Sequence, residues 1–164
     1  ADPVCSRLSA MAADAAEAAG VETVQRGATY LAMEGPQFST RAESQLYRQW
    51  GCSVIGMTNM PEAKLAREAE LPYASVSMVT DYDCWRTEDA DVDISDILRT
   101  MHANTAHAHQ LVRHLVKAMA ATPRTYSPQG IEQALEFAII TAPEKRDPEL
   151  VAKLDAVAGR VLNR

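Results

Sequence analysis

Two rhythms alternate along the chain, one helical and one strand-like. "CSRLSAMAADAAEAAG" is Ala-rich, lacks Pro and ends at Gly20, which predicts a helix from about Cys5 to Ala19 with a glycine C-cap. "VETVQRGATYLAME" is rich in Val, Thr and Tyr and predicts one long strand, or two short ones broken at Gly27. "GPQFST" is a loop, and Ser39 or Thr40 stands where it would N-cap a helix over "RAESQLYRQW" that stops at Gly51. "CSVIGM" predicts a short apolar strand, and "PEAKLAREAE" a helix with Pro61 at N1 and an acid in its first turn. "YASVSMV" predicts another buried strand, and "TEDADVD" an acidic loop. "ISDILRTMHANTAHAHQLVRHLVKAMAA" carries apolar residues at Ile94, Ile97, Leu98, Met101, Ala108, Leu111, Val112 and Leu115, the pattern of a long amphipathic helix. Beyond Ala121 come the loop "TPRTYSPQG", a short helix, the breaker "TAPEKRDP" and a last helix, "ELVAKLDAVAGRVL".

Strands alternating with helices define an α/β domain around a mainly parallel or mixed sheet. The 164 residues suffice for one domain, and the whole span 1–164 reads as a single domain portion. The opening "ADPVC" has neither a start methionine nor linker character, so the chain is expected to begin mid-domain.

Charge narrows the choice of partners. The formal net charge is −6 and the pI about 5.2, which argues against nucleic acid, because phosphate backbones call for a basic surface. No apolar run is long enough for a membrane span and no signal-peptide pattern opens the chain. Cys5, Cys52 and Cys84 are odd in number and far apart, so neither a disulfide framework nor a zinc site is expected, and a cytoplasmic location is. His102, His107, His109 and His114 lie on the long helix. There His107 and His109 diverge and His107 and His114 stand about 10.5 Å apart along the axis, which suits no metal.

Ligands of α/β sheets gather beyond the carboxyl ends of strands. Three strand-to-helix junctions carry unusual residues: "MEGPQFST", "GMTNMPE" and "VTDYDCW". Any one reads as an ordinary turn and helix cap; three in one short chain point to a site. Asp81 and Asp83 stand two residues apart after an apolar run. They read either as solvated loop acids, Asp81 as a cap, or as a half-buried pair in which one carboxyl stays protonated near neutral pH. A protonated carboxyl beside an ionised one matches the nitrogen and amino group along one edge of adenine. There is no P-loop, GxGxxG or GxSxG motif.

"EGPQFSTRAES" and "GMTNMPEAKLAREAELPYASVSMVTDYDCW" together resemble the methylthioadenosine phosphorylases, trimeric members of the purine nucleoside phosphorylase family. The resemblance is nearly continuous from Ala1 to about Leu115 and weakens over the last fifty residues. It implies a three-layer, mixed-sheet phosphorylase-like fold, of which this chain is the C-terminal portion. It also implies phosphorolysis of 5′-methylthioadenosine to adenine and 5-methylthioribose 1-phosphate in purine and methionine salvage. By position, Asp83 becomes the acid that protonates adenine N7, and Asp81 holds the 6-amino edge. Phe38 lies against the purine, Met57 closes on the ribose 2′-hydroxyl and Thr58 contacts phosphate. Ile97 and Leu98 line the 5′-methylthio pocket. Phosphate is a co-substrate, and no cofactor or metal is implied.

Related phosphorylases for guanosine and inosine usually carry Asn where Asp81 stands, Glu where Ser39 stands and His where Ile97 stands. A carboxylate suits an amino purine and an aliphatic wall suits a methylthio group, whose burial is worth about 1–2 kcal/mol. The family's Gly/Thr phosphate loop and its Arg-His pair are absent from these 164 residues. A missing N-terminal half is therefore an expected partner, possibly as a separate chain, within a homotrimer of whole catalytic units. The alternatives are a purine nucleoside phosphorylase of broader specificity and a non-catalytic module that binds a purine or another flat aromatic.

Overall fold

A computed structural model describes residues 2–86 and 94–163. The acidic loop expected over 87–93 lies outside the described residues, as does the side chain of Ile94. The chain divides into two compact units, one formed by Ser9–Met60 and Ser75–Pro123, the other by Ala1–Leu8, Pro61–Ala74 and Arg124–Arg164.

The first unit contains most of α1 (Ser6–Ala18), β1 (Tyr30–Ala32), α2 (Arg41–Gln49), β2 (Val54–Gly56) and α4 (Ile94–Ala121). β1 and β2 pair in parallel with Tyr30 opposite Val54, Leu31 opposite Ile55 and Ala32 opposite Gly56. α2 supplies the crossover that parallel neighbours need. Ala15 and Ala16 of α1 pack with Leu111 of α4, and Ala19, Val21, Val24 and Leu115 close the cluster. Alanine's small side chain lets the helices approach closely. Val21 and Val24 are spent on this packing and form no strand, and Arg26 ties the same segment to Asp14 at 2.8 Å and Glu17 at 2.7 Å. The strand expected over 21–34 is thus confined to Tyr30–Ala32.

The strand expected over 73–79 is also absent: Tyr73 makes one isolated bridge to Val4, and Ser75–Val79 run without a ladder among the described residues. Val76, Met78 and Val79 lie 48%, 53% and 57% exposed, so the apolar pattern there is only partly covered among the described residues. On α4 the half-buried positions are Ile97, Thr100, Asn104, His107, Ala108, His114 and Leu115, around buried Leu111. Leu98, Met101 and Val112 of the predicted stripe instead stand about half exposed.

The second unit holds α3 (Glu62–Glu68), 3-10 turns at Ile131–Gln133 and Pro143–Lys145, and α5 (Pro148–Leu162). Asp147 caps α5 by accepting from the N–H groups of Glu149 and Leu150, with Pro148 in the first turn. Glu70 ties the unit together. Its carboxylate, 10% exposed, accepts from Arg160 Nε at 2.6 Å and from the Leu135 N–H at 3.0 Å, while Arg160 also meets Glu136 at 2.9 Å. The Arg160 hydrogen bonds hold the Glu70 carboxyl below its ordinary value. Its contribution to stability is present above the ordinary carboxylate range and is lost as pH falls through the lowered value. Glu70→Gln is expected to cost about 1–2 kcal/mol at neutral pH. Urea melts of both proteins should converge in acid, and a pH-independent gap would contradict the assignment.

Candidate active site

Parallel pairing puts the carboxyl ends of β1 and β2 side by side, so the segments leaving them, 33–40 and 57–60, are neighbours. Met33 extends the pairing by donating its N–H to Gly56 O at 2.9 Å. The side chain of Met57 lies against Gly35, where φ is +75° and a Cβ would collide with the methionine methyl. Ser75 Oγ donates to Asn59 Oδ1 at 3.1 Å, which binds the second junction to the segment leading into the third.

The third junction, 80–86, is fastened to α2. A capping box fixes the start of that helix: the Thr40 hydroxyl accepts from the Glu43 N–H, and the Glu43 carboxylate accepts from the Thr40 N–H at 2.7 Å. The Thr40 donors hold the Glu43 carboxyl below the usual carboxylate range. Arg41, Ser44 and Arg48 then fall three and four residues apart, on one face of the helix. Arg41 Nε donates to Cys84 O at 3.1 Å, Ser44 Oγ donates to Asp83 Oδ2 at 2.5 Å, and the Arg48 guanidinium stacks 3.6 Å over the Trp85 ring. Cys84 Sγ reaches Ser39 O at 3.5 Å, which joins the third junction to the first.

Within the acid pair the roles differ. Asp81 is exposed and acts locally: Oδ1 accepts from the Asp83 N–H at 2.9 Å and Oδ2 from the Thr80 hydroxyl at 2.8 Å. Asp81 thus closes a local turn, and no helix begins at it among the described residues. Asp83 is half-buried, with Oδ1 accepting from the Cys84 N–H at 2.8 Å and Oδ2 from Ser44. Its backbone takes φ +64°, a left-handed conformation that Asp and Asn adopt more readily than most residues. Desolvation and the adjacent Asp83 carboxylate push the Cys84 thiol up, so it is no thiolate nucleophile at neutral pH.

The remaining predicted residues lie in the same unit. Phe38 is 81% exposed and lines a cavity of about 260 Å³ with Leu31, Met33, Gln37, Ser39 and Tyr47. Ser39 Oγ donates to Met33 Sδ at 3.3 Å. Met57 is 45% exposed, and Thr58 meets Tyr30 through both its hydroxyl, at 3.3 Å, and its N–H, at 3.4 Å. Ile97 is half-buried and Leu98 51% exposed on α4. Their link to the junctions runs through Asn104, two turns from Ile97, whose Nδ2 donates to Val79 O at 3.0 Å. Sequence reasoning missed Ser44, Arg41, Arg48 and Tyr30; the polar i, i+3, i+7 spacing on α2 was the available signal for the first three.

A parallel β-α-β unit whose junctions converge on a held carboxylate matches a known group. The model of the phosphorylase superfamily covers residues 1–117, and the chain belongs to that family. Within the family it is 63% identical over 162 residues to the S-methyl-5′-thioadenosine phosphorylase of Cereibacter sphaeroides, covering 99% of this chain and 55% of that protein. To the enzyme of the same name from Bradyrhizobium diazoefficiens it is 57% identical over 164 residues, with the same coverage. The crystal structure of a methylthioadenosine phosphorylase sourced from an antarctic soil metagenomic library superposes with a TM-score of 0.84 at 39% identity, over 95% of this chain and 54% of that one. Methylthioadenosine phosphorylase from Schistosoma mansoni, in complex with adenine, gives 0.67 at 29% identity, over 83% and 52%. The chain spans about half the length of the relatives it matches. No helix among the described residues is long and apolar enough to cross a membrane.

Proposed function

We propose that this chain carries the base- and ribose-binding part of a 5′-methylthioadenosine phosphorylase. The observation that carries the reading is the Asp83 carboxyl, held by Ser44 on a loop fastened to Ser39, in a chain 63% identical to an enzyme of that name. In the reaction a phosphate oxygen attacks the anomeric carbon as the bond from that carbon to adenine N9 breaks, and Asp83 gives its proton to N7. The two events share the developing charge, so neither a free adenine anion nor a full oxocarbenium ion need form, and the transition state is oxocarbenium-like. Asp81 accepts from the 6-amino group, Phe38 stacks on the purine, Met57 closes on the ribose and Thr58 contacts phosphate. Phosphate is the co-substrate and no other cofactor takes part. The enzyme acts in purine and methionine salvage in the cytoplasm, with the remaining phosphate ligands supplied by sequence outside this chain.

The test is phosphate-dependent release of adenine by the full-length protein, measured with methylthioadenosine, adenosine and inosine. Methylthioadenosine is expected to be preferred. A preference for inosine would point to a broader purine nucleoside phosphorylase, and adenine binding without turnover to a binding module. The assembly is a homotrimer; sedimentation as a fully active monomer would overturn that.

Ile97 and Leu98 form the apolar wall for the methylthio group. Ile97→His is expected to shift the ratio of kcat/KM for methylthioadenosine over adenosine about tenfold toward adenosine. An unchanged ratio with a lowered melting temperature would assign Ile97 to the core alone.

A further inference from the structure

We infer that Arg48 is a positioning residue for the purine side of this site, acting through Trp85 on the loop 80–86. The assignment rests on the reading of that loop as the one that meets the purine, and it holds whichever of the two acids gives the proton. The loop has little backbone structure of its own. Among the described residues its one backbone-to-backbone hydrogen bond runs from the Arg86 N–H to Asp83 O, at 3.5 Å. Side chains place it instead, and three of them come from one face of α2: Arg41 on Cys84 O, Ser44 on Asp83 Oδ2 and Arg48 on the Trp85 ring.

The three contacts differ in kind. The bonds from Arg41 and Ser44 fall on adjacent residues, and the Cys84 side chain reaches Ser39 O at 3.5 Å and also meets Asp83 and Ser44. Contacts gathered at residues 83 and 84 fix a point and leave the loop free to swing about it. The Arg48 guanidinium, 3.6 Å over the Trp85 ring, meets the next residue with a plane rather than a point. Trp85 is half-buried and stands edge-on to Tyr82, with 6.4 Å between ring centroids. Tyr82 is the residue between the two acids, and Asp81 Oδ1 accepts from the Asp83 N–H at 2.9 Å. A tilt of the Trp85 ring therefore passes to Tyr82 and to both carboxylates at once.

Arg48 has a simpler use as a cation in the last turn of α2, where the helix dipole favours positive charge. Lysine serves that use equally. It does not lay a plane on a ring, so substitution separates the two uses. Arg48 is also exposed, and a change at an exposed side chain ordinarily leaves stability almost untouched. A kinetic defect without a loss of stability is therefore the mark of the positioning role. Arg48 touches neither nucleoside nor phosphate in this account.

The test uses the full-length protein with Arg48→Ala, Arg48→Lys, Trp85→Leu and the double variant of Arg48→Ala with Trp85→Leu. Arg48→Ala and Arg48→Lys are each expected to raise KM for the nucleoside about three- to tenfold, the scale of one cation–ring stack, at an unchanged melting temperature. KM for phosphate should stay within about twofold, because Thr58, held by Tyr30, stands at a different junction. In the Trp85→Leu background Arg48→Ala should cost less than about twofold, since the ring it acts through is gone. A wild-type nucleoside KM in Arg48→Lys would overturn the stack, leaving charge at the helix end as the working feature. Equal losses from Arg48→Ala with and without Trp85, or a parallel rise in both KM values with a lowered melting temperature, would overturn it as a defect of α2 itself. Wild-type kinetics in both Arg48 variants, with Trp85→Leu impaired, would overturn the role of Arg48 and leave the loop at the purine. Wild-type turnover in the double variant Asp81→Asn, Asp83→Asn would instead remove the loop from the purine, and the positioning role with it.

Discussion

If Asp83 is the acid proposed above, Asp83→Asn in the full-length protein is expected to lower kcat by about a hundredfold or more, the usual scale for loss of a general acid. The variant is a clean probe for two structural reasons. Asn shares with Asp a tolerance for the left-handed backbone that residue 83 adopts at φ +64°, so the loop should keep its shape. Its amide oxygen can still accept from Ser44 or from the Cys84 N–H, two donors that now hold the carboxyl. Asp83→Ala would confound the reading by adding backbone strain of about 1–2 kcal/mol. Substrate affinity should change little, since an amide still reaches the purine. Single-turnover rates beside calorimetric affinities separate the two quantities. A variant that binds and turns over like the wild type would remove Asp83 from the chemistry.

Gly56→Ala is expected to cost about 2–3 kcal/mol of stability, the upper range for overpacking. The Tyr30 ring lies across Gly56, and a Cβ there would collide with the hydroxyl and stand 2.8 Å from Cζ. Tyrosine is stiff, with two side-chain torsions, so the ring must leave as a body. It would take with it the hydroxyl that contacts the Thr58 side chain and N–H. If Thr58 serves phosphate as proposed, KM for phosphate should rise more than KM for the nucleoside. The double variant Gly56→Ala, Tyr30→Phe relieves only the hydroxyl clash and should recover part of the stability while leaving the phosphate defect. Thermal melts and initial rates at varied phosphate make the comparison. An unchanged melting temperature would mean that the ring does not occupy the space over Gly56.

Helices were legible because their signals are local. The Thr40 cap with Glu43 three residues on and the break at Gly51 lie within a few residues of what they control, whereas Asp147 and Pro148, read as the end of a breaker, cap and open α5. Strands were less legible because a strand exists only through a partner that the local sequence does not name. Val21 and Val24 have strand-like character and are consumed by α1 and α4. Val76 and Met78 have it too and meet no partner strand among the described residues. The long helix was read correctly in extent, but its inward face was assigned by apolarity. The face that is half-buried includes Asn104, because that amide has a carbonyl to meet at Val79.

In the sequence the candidate site stood as three junctions, with Phe38, Met57, Thr58, Asp81 and Asp83 named within them as what the resemblance implies. What bound the junctions together was not legible. Ser44 reads in the sequence as one more polar residue on a polar helix, and only the fold reveals that it is shut from water against a carboxylate. Tyr30 likewise reads as a strand residue, until the parallel register sets its ring over a glycine and its hydroxyl beside Thr58.

The fastenings among those junctions join residues 25, 39, 43 and 45 positions apart. Each closes a long loop, and the entropy of closure must be met before the bond returns anything. The helices can form early from their own caps, whereas the carboxylate cluster can take shape only once distant segments have met. Refolding followed by tryptophan emission should therefore show the Trp85 environment maturing after helical ellipticity has returned. Any lesion that delays that meeting would yield a chain rich in helix and empty of function.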